Sequence, residues 1–140
     1  MIMTREIKFR GKRIKAEDKL ERWIEGSYIE YTNIHNDKVI RIVSKSGYQN
    51  EVYIDTIGQF TGLHDKNGKE IYEGDIVQMH IENGNILLVV TWNLEVGAWL
   101  LKLKGCNIEG VRTLGEWLRD SSSVIQVVGN IYDNPELLEE

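Results

Sequence analysis

The sequence predicts a mainly β protein, and three observations carry that prediction. Short runs of β-favouring residues alternate apolar and polar positions at period two, the signature of half-buried strands. Turn chemistry punctuates these runs. It is densest in residues 58–77, where Gly58, Gly62, Gly68 and Gly74, an Asn67-Gly68 step and a Gly74-Asp75 step fall within one short stretch. A helical pattern is convincing once, after Thr113, where Leu114, Trp117 and Leu118 form an apolar stripe at i, i+3, i+4.

Taken in order, residues 6–10 set Ile7 and Phe9 against Lys8 and Arg10 and should form a first strand ending at Gly11. Residues 17–25 open as a charged turn, and residues 23–31 follow as a strand that Gly26-Ser27 interrupts, as a bulge would. Asn33-Ile34-His35-Asn36-Asp37 is turn chemistry. Residues 38–43 carry apolar side chains on both faces, Ser44-Lys45-Ser46-Gly47 turns again, and residues 51–54 make another short strand. A seam falls near residues 55–58, without a Pro/Ser/Gly-rich spacer, so two lobes are expected: residues 1–57 and residues 58–140.

Past the seam, residues 65–70 should close a tight hairpin, with Asn67-Gly68 supplying the two positive φ values of a type I′ turn. Tyr72-Glu73-Gly74-Asp75 turns the chain into a strand at 76–81. Glu82-Asn83-Gly84-Asn85 reverses it into 86–92, and Asn93 to Gly97 reverses it again into 98–104, where Trp99, Leu101 and Leu103 share a face. Thr113 and Glu116 have capping-box spacing for a helix near 114–120, ended by serines 121–123. Residues 124–128 form a last strand, and Asn134-Pro135 opens a short capped helical turn. Short strands joined by tight turns, with one late helix, describe a small SH3-like barrel or roll in the C-terminal part, packed against an N-terminal β lobe.

Composition narrows the function classes. At 140 residues, with 41% apolar and 28% charged residues, the chain is globular, not disordered. The longest apolar runs are far too short to span a bilayer, so no membrane partner is expected. One cysteine, Cys106, leaves no internal disulfide and fits a reducing compartment. The first residues lack the apolar core of a secretory signal, so the expected location is a cytoplasm. The net charge of −5 conceals an asymmetry: Arg5, Lys8, Arg10, Lys12, Arg13 and Lys15 crowd the start, while Asp133, Glu136, Glu139 and Glu140 crowd the end. A basic arm can bind nucleic acid, but overall acidity is far from that footprint; the simpler expectation is the solvated side of an amphipathic strand. The opposed ends could also meet across a subunit contact.

No catalytic, cofactor or metal residues are assigned. His35, His64 and His80 stand 29 and 16 residues apart, and Cys106 is isolated, which does not match zinc-ligand spacing. Asp65 and Asp75 are best read as turn residues, with a hard-metal site the lesser alternative. No Gly-x-Ser-x-Gly elbow and no phosphate-cradling Gly-Lys-Ser/Thr occurs. Trp92, Trp99, Tyr72 and Tyr132 read as core and rim filling before they read as a binding platform, and Trp117 as core. Gln59-Phe60-Thr61 has no structural account from sequence and is the patch to inspect first for function.

Four ordered blocks also resemble the YopX family of bacteriophage and prophage proteins. They are Arg5-Glu6-Ile7-Lys8-Phe9-Arg10-Gly11-Lys12-Arg13, Trp23-Ile24-Glu25-Gly26-Ser27, residues 58–77, and Val128-Gly129-Asn130-Ile131-Tyr132-Asp133-Asn134-Pro135-Glu136-Leu137-Leu138. Residues 105–123 look less typical of it. The resemblance implies a small phage-encoded protein of Gram-positive bacteria or their prophages, an SH3-like C-terminal part and no assigned activity; it carries over no catalytic residue. The leading expectation is a non-enzymatic interaction or assembly module in the host bacterial cytoplasm, binding a protein or itself. Nucleic-acid binding through the basic first strand comes second, and a hydrolase or nuclease third.

Overall fold

The structure, a computed structural model, describes residues 5–15, 22–103, 109–121 and 124–139. Among these residues the fold is mainly β, with antiparallel sheets and one short α-helix. The chain divides into two compact units, Met1–Phe60 and Thr61–Glu140.

In the first unit, β1 (Phe9–Lys12), β2 (Trp23–Thr32), β3 (Lys38–Val43) and β4 (Gln49–Glu51) lie in the order β4-β3-β2-β1. The first residues of β5 (Gly58–His64) pair with β1, Gln59 opposite Phe9 and Gly58 opposite Arg10. Ile24, Ile40, Ile42 and Val52 form its core, with Phe9, Tyr28 and Ile57 packed against them.

Two glycines behave differently from expectation. Gly11 does not end the first strand but lies within it, because Val52 closes over it and would stand 3.0 Å from an added Cβ. Gly26 is not a bulge. It is the point where β2 stops pairing with β1 (Phe9 opposite Gly26) and starts pairing with β3 (Ser27 opposite Val43). An added Cβ there would sit 1.9 Å from the Val43 carbonyl oxygen, and φ is +156°. The hairpin turn at 33–37 is as read: the Asn33 Oδ1 accepts the N–H of His35 and of Asp37. Of the expected charged turn at 17–25, residues 17–21 lie outside the described residues and Trp23, Ile24 and Glu25 belong to β2.

In the second unit, β7 (Asp75–Ile81), β8 (Gly84–Asn93), β9 (Ala98–Leu103) and β10 (Glu109–Thr113) form a meander, and β11 (Ile125–Asn130) returns beside β7. β6 (Glu70–Tyr72) neighbours β5. Helix α1 (Leu114–Ser121) starts on the expected capping box: the Thr113 Oγ1 accepts the Glu116 N–H at 3.1 Å, and the Glu116 Oε1 accepts the Thr113 N–H at 3.4 Å. Leu114 and Leu118 then enter a core with Ile71, Val77, Met79, Val90, Leu101 and Ile125, and Trp117 packs against it as read.

The Asn-Gly hairpin forms, but with another turn. Asn67 keeps a negative φ; Gly68, at +81°, is the residue with positive φ. The Gly68 N–H donates to the Asp65 carbonyl and the Asp65 N–H to the Lys69 carbonyl, the three-residue type I turn with a glycine bulge. The cause is Asp65, whose Oδ1 takes the N–H of Asn67 at 2.8 Å and of Lys69 at 2.9 Å. The final turn also differs. Asn134 makes no side-chain cap for Pro135–Leu138; its Oδ1 accepts the Asn130 N–H and occupies the space a Cβ on Gly129 would need.

Candidate functional site

Asp65, Asp75 and His80, singled out from sequence, each make a side-chain hydrogen bond within the fold. Asp65 is buried: its Oδ2 accepts the N–H of Val127 at 2.8 Å, which ties the hairpin to β11. Burial pushes its carboxyl up, but the N–H groups of Val127, Lys69 and Asn67 outweigh that and hold it below the ordinary carboxylate value. Asp75, 2% exposed, braces its own turn by accepting the Tyr72 N–H at 2.7 Å. The His80 Nδ1 sits 2.9 Å from Asn85 Oδ1, and His35 lies in the 33–37 turn. Among the described residues no group of three His, Cys, Asp or Glu side chains could hold a metal ion; Cys106 lies outside them. No described helix is long and apolar enough to cross a membrane.

Gln59-Phe60-Thr61 now has a structural account. Gln59 pairs with Phe9, Phe60 is buried beneath the Lys8 ammonium (5.1 Å to the ring centre), and the Thr61 hydroxyl donates to the Ile71 carbonyl at 2.7 Å. Trp92 and Trp99 divide the alternatives between them. They meet across β8 and β9 edge to face, centroids 4.8 Å apart, with Trp99 packed on the core and Trp92 41% exposed.

The basic first strand is not the solvated display that its alternation suggests. The Arg10 guanidinium lies 4.8 Å and the Lys12 ammonium 5.5 Å from the centre of the Trp23 ring, and both residues are half-buried. Cations laid over aromatic faces spend part of their field on the protein itself. Sequence alternation sees the period of two; it cannot see that aromatic rings cover the polar face.

The feature that sequence reasoning missed is a groove in the first unit. Alternation along β2 sends Ile24 into the core and turns Trp23, Glu25, Ser27 and Ile29 to the other face. The groove, of about 890 Å³, runs along that face. Glu6, Ile7 and Lys8 form one wall; Val43, the turn at 44–46 and Tyr48 form the other.

Its origin is a change of partner. β1 pairs with β2 only from Phe9 onward, while the Lys8 carbonyl accepts the Phe60 N–H at 2.9 Å, so the preceding chain follows β5 and leaves residues 27–29 of β2. Ile7 and Tyr48 are 59% and 72% exposed at the rim, and Ile29 is 40% exposed on the floor. The Glu6 carboxylate stands 3.6 Å from the ammonium groups of both Lys8 and Lys45. Exposed apolar side chains at Ile29, Ile7 and Tyr48, set among Glu25, Ser27 and the flanking charges, have the mixed composition of a recognition surface. The available signal was Gly26, a strand glycine marking close backbone approach.

Comparison with known proteins places this fold. No curated protein matches. A solved structure, that of protein EF1440 from Enterococcus faecalis, is similar with a TM-score of 0.55 and 25% identity, covering 97% of this chain and 100% of that one. The family model described as YopX protein matches residues 8–139, which includes both walls of the groove except Glu6 and Ile7. The chain therefore belongs to the YopX family.

Proposed function

We propose that this protein is a non-enzymatic interaction module of phage or prophage origin, working in the host bacterial cytoplasm, and that the groove on β2 is its binding surface. The observation that carries this reading is the groove itself, where Ile29, Ile7 and Tyr48 are exposed side by side with polar and charged residues. Leaving such side chains in water is unfavourable, and a partner that covers them gains roughly 25 cal/mol for each Å² of apolar surface removed. The stacking of Arg10 and Lys12 on Trp23 supports a protein partner over nucleic acid, since these cations are already partly desolvated.

The test is capture from host lysate by the wild-type chain and by Ile29→Asp, with circular dichroism confirming that the variant is folded. The reading expects specific capture that the substitution removes. Fluorescence anisotropy with single- and double-stranded DNA at two salt concentrations should show no salt-sensitive binding. A hydrolase or nuclease activity abolished by substitution at Asp65 or Asp75 would overturn it.

A further inference from the structure

Resting on the groove as the binding surface, we propose that its occupant is an extended, acidic segment of a partner protein, added as a strand along residues 27–32 of β2 with a carboxylate on Lys45. Residues 27–32 pair with β3 on one side, and among the described residues no backbone hydrogen bond reaches them from the other. In an antiparallel ladder every second residue turns both its N–H and its C=O away from its partner, so this edge offers ladder groups to an incoming chain.

Natural sheets protect such edges with lysine, proline or a bulge. Ser27-Tyr28-Ile29-Glu30-Tyr31-Thr32 contains neither lysine nor proline, and its register with β3 is unbroken. Its single charge, Glu30, is neutralised within the chain: Lys38 lies 2.8 Å away and the Tyr28 hydroxyl donates to it at 2.6 Å. The edge is therefore built of strand-forming residues with nothing to repel a guest.

The walls decide the kind of guest. Residues 6–8 border the groove on the side of β2 that β3 leaves open, so an extended chain entering there lies beside Ser27 and Ile29. Strand addition draws affinity from the backbone and specificity from alternate side chains. Here the alternate positions meet Ile29 and Ile7, which select apolar residues. Charge selects the rest. The Lys45 side chain is 92% exposed, and its carboxylate neighbour Glu6, which it shares with Lys8, is 3.6 Å away. That exceeds the roughly 2.8 Å of a charge-assisted hydrogen bond. Glu6 thus holds the place that a guest carboxylate would take.

The test uses the full chain and fluorescein-labelled hexapeptides that alternate valine with aspartate or threonine, in anisotropy titrations. Matched peptides carry lysine for aspartate, or a central proline. The acidic peptide should bind in the micromolar range, about tenfold or more tighter than the lysine peptide, and the proline peptide should not bind. Lys45→Glu should reverse the acidic-over-lysine preference, and Glu6→Gln should tighten the acidic peptide severalfold. Lys102→Glu, in the other unit, should change nothing. Lys45 is so exposed that its variant stays folded, which keeps the test decisive if Ile29→Asp does not.

No binding of the acidic peptide at about 1 mM overturns the proposal, as does an unchanged preference in Lys45→Glu or tolerance of the proline. A concentration-dependent dimer lost in Ile29→Asp would assign the groove to a second copy and overturn it too. If all peptides fail while Ile29→Asp still abolishes lysate capture, the occupant is wrong and the interaction reading stands.

Discussion

Replacing Asp65 by asparagine would separate the hairpin turn from its long-range anchor. The asparagine oxygen can still accept the Asn67 and Lys69 N–H groups, but its amide nitrogen then faces the Val127 N–H, which the carboxylate accepts at 2.8 Å in the wild type. A hydrogen bond to a charged group contributes about 1.5–3 kcal/mol, and a buried donor left without an acceptor costs about 1–3 kcal/mol. These overlap, so the expected loss is about 3 kcal/mol, a large part of the roughly 5–15 kcal/mol total of a domain. At about 3–5 °C per kcal/mol, Tm should fall by about 10–15 °C at pH 7.

The pH dependence separates this cause from general misfit. The folded Asp65 carboxyl lies below its ordinary value: burial raises it, and the three backbone donors more than offset that. Its stabilising contribution is therefore complete above the unfolded value, about 3.9, and disappears as pH falls through the folded value. Thermal unfolding followed by circular dichroism from pH 7 down to about 2.5 should show the wild type approaching Asp65→Asn in acid. A difference under about 0.5 kcal/mol at pH 7, or one that stays constant over the whole range, would refute the reasoning.

Three further perturbations follow from the same contacts. Gly26→Ala places a Cβ 1.9 Å from the Val43 carbonyl oxygen at a φ of +156°, so it should cost at least about 3 kcal/mol by urea unfolding and strip the Met1–Phe60 unit of amide-exchange protection. Thr113→Ala removes one half of the capping box and should cost about 1 kcal/mol, with Thr113→Ser largely restoring it. In a double-mutant cycle, Trp92→Ala and Trp99→Ala should couple by about 0.5–1.5 kcal/mol, with Trp99→Ala the more destabilising single change because that ring packs on the core.

What the sequence by itself determined was local. Apolar runs bracketed by turn chemistry located the strands at 38–43 and 76–81 almost to the residue, because turn residues act on the backbone beside them. Thr113 and Glu116 announced the helix start, and Asn33 the hairpin turn at 33–37, because each of those bonds closes within a few residues. Asp75 was likewise legible as a turn brace. Wherever a partner arrives from far along the chain, only the tertiary structure decided. Asn67-Gly68 has the composition of one turn, yet the Asp65 carboxylate selects another and reaches Val127, 62 residues away, for its remaining bond. Gly11 and Gly26 read as a strand end and a bulge until Val52 and the Val43 carbonyl close on them. Lys8, Arg10 and Lys12 read as a solvated row until Phe60 and Trp23 lie beneath them. The groove belongs to the same class. It exists because β1 stops pairing with β2 at Phe9 while its bonding to β5 continues through Lys8, a difference in where two sheet contacts end that no local pattern of residues encodes.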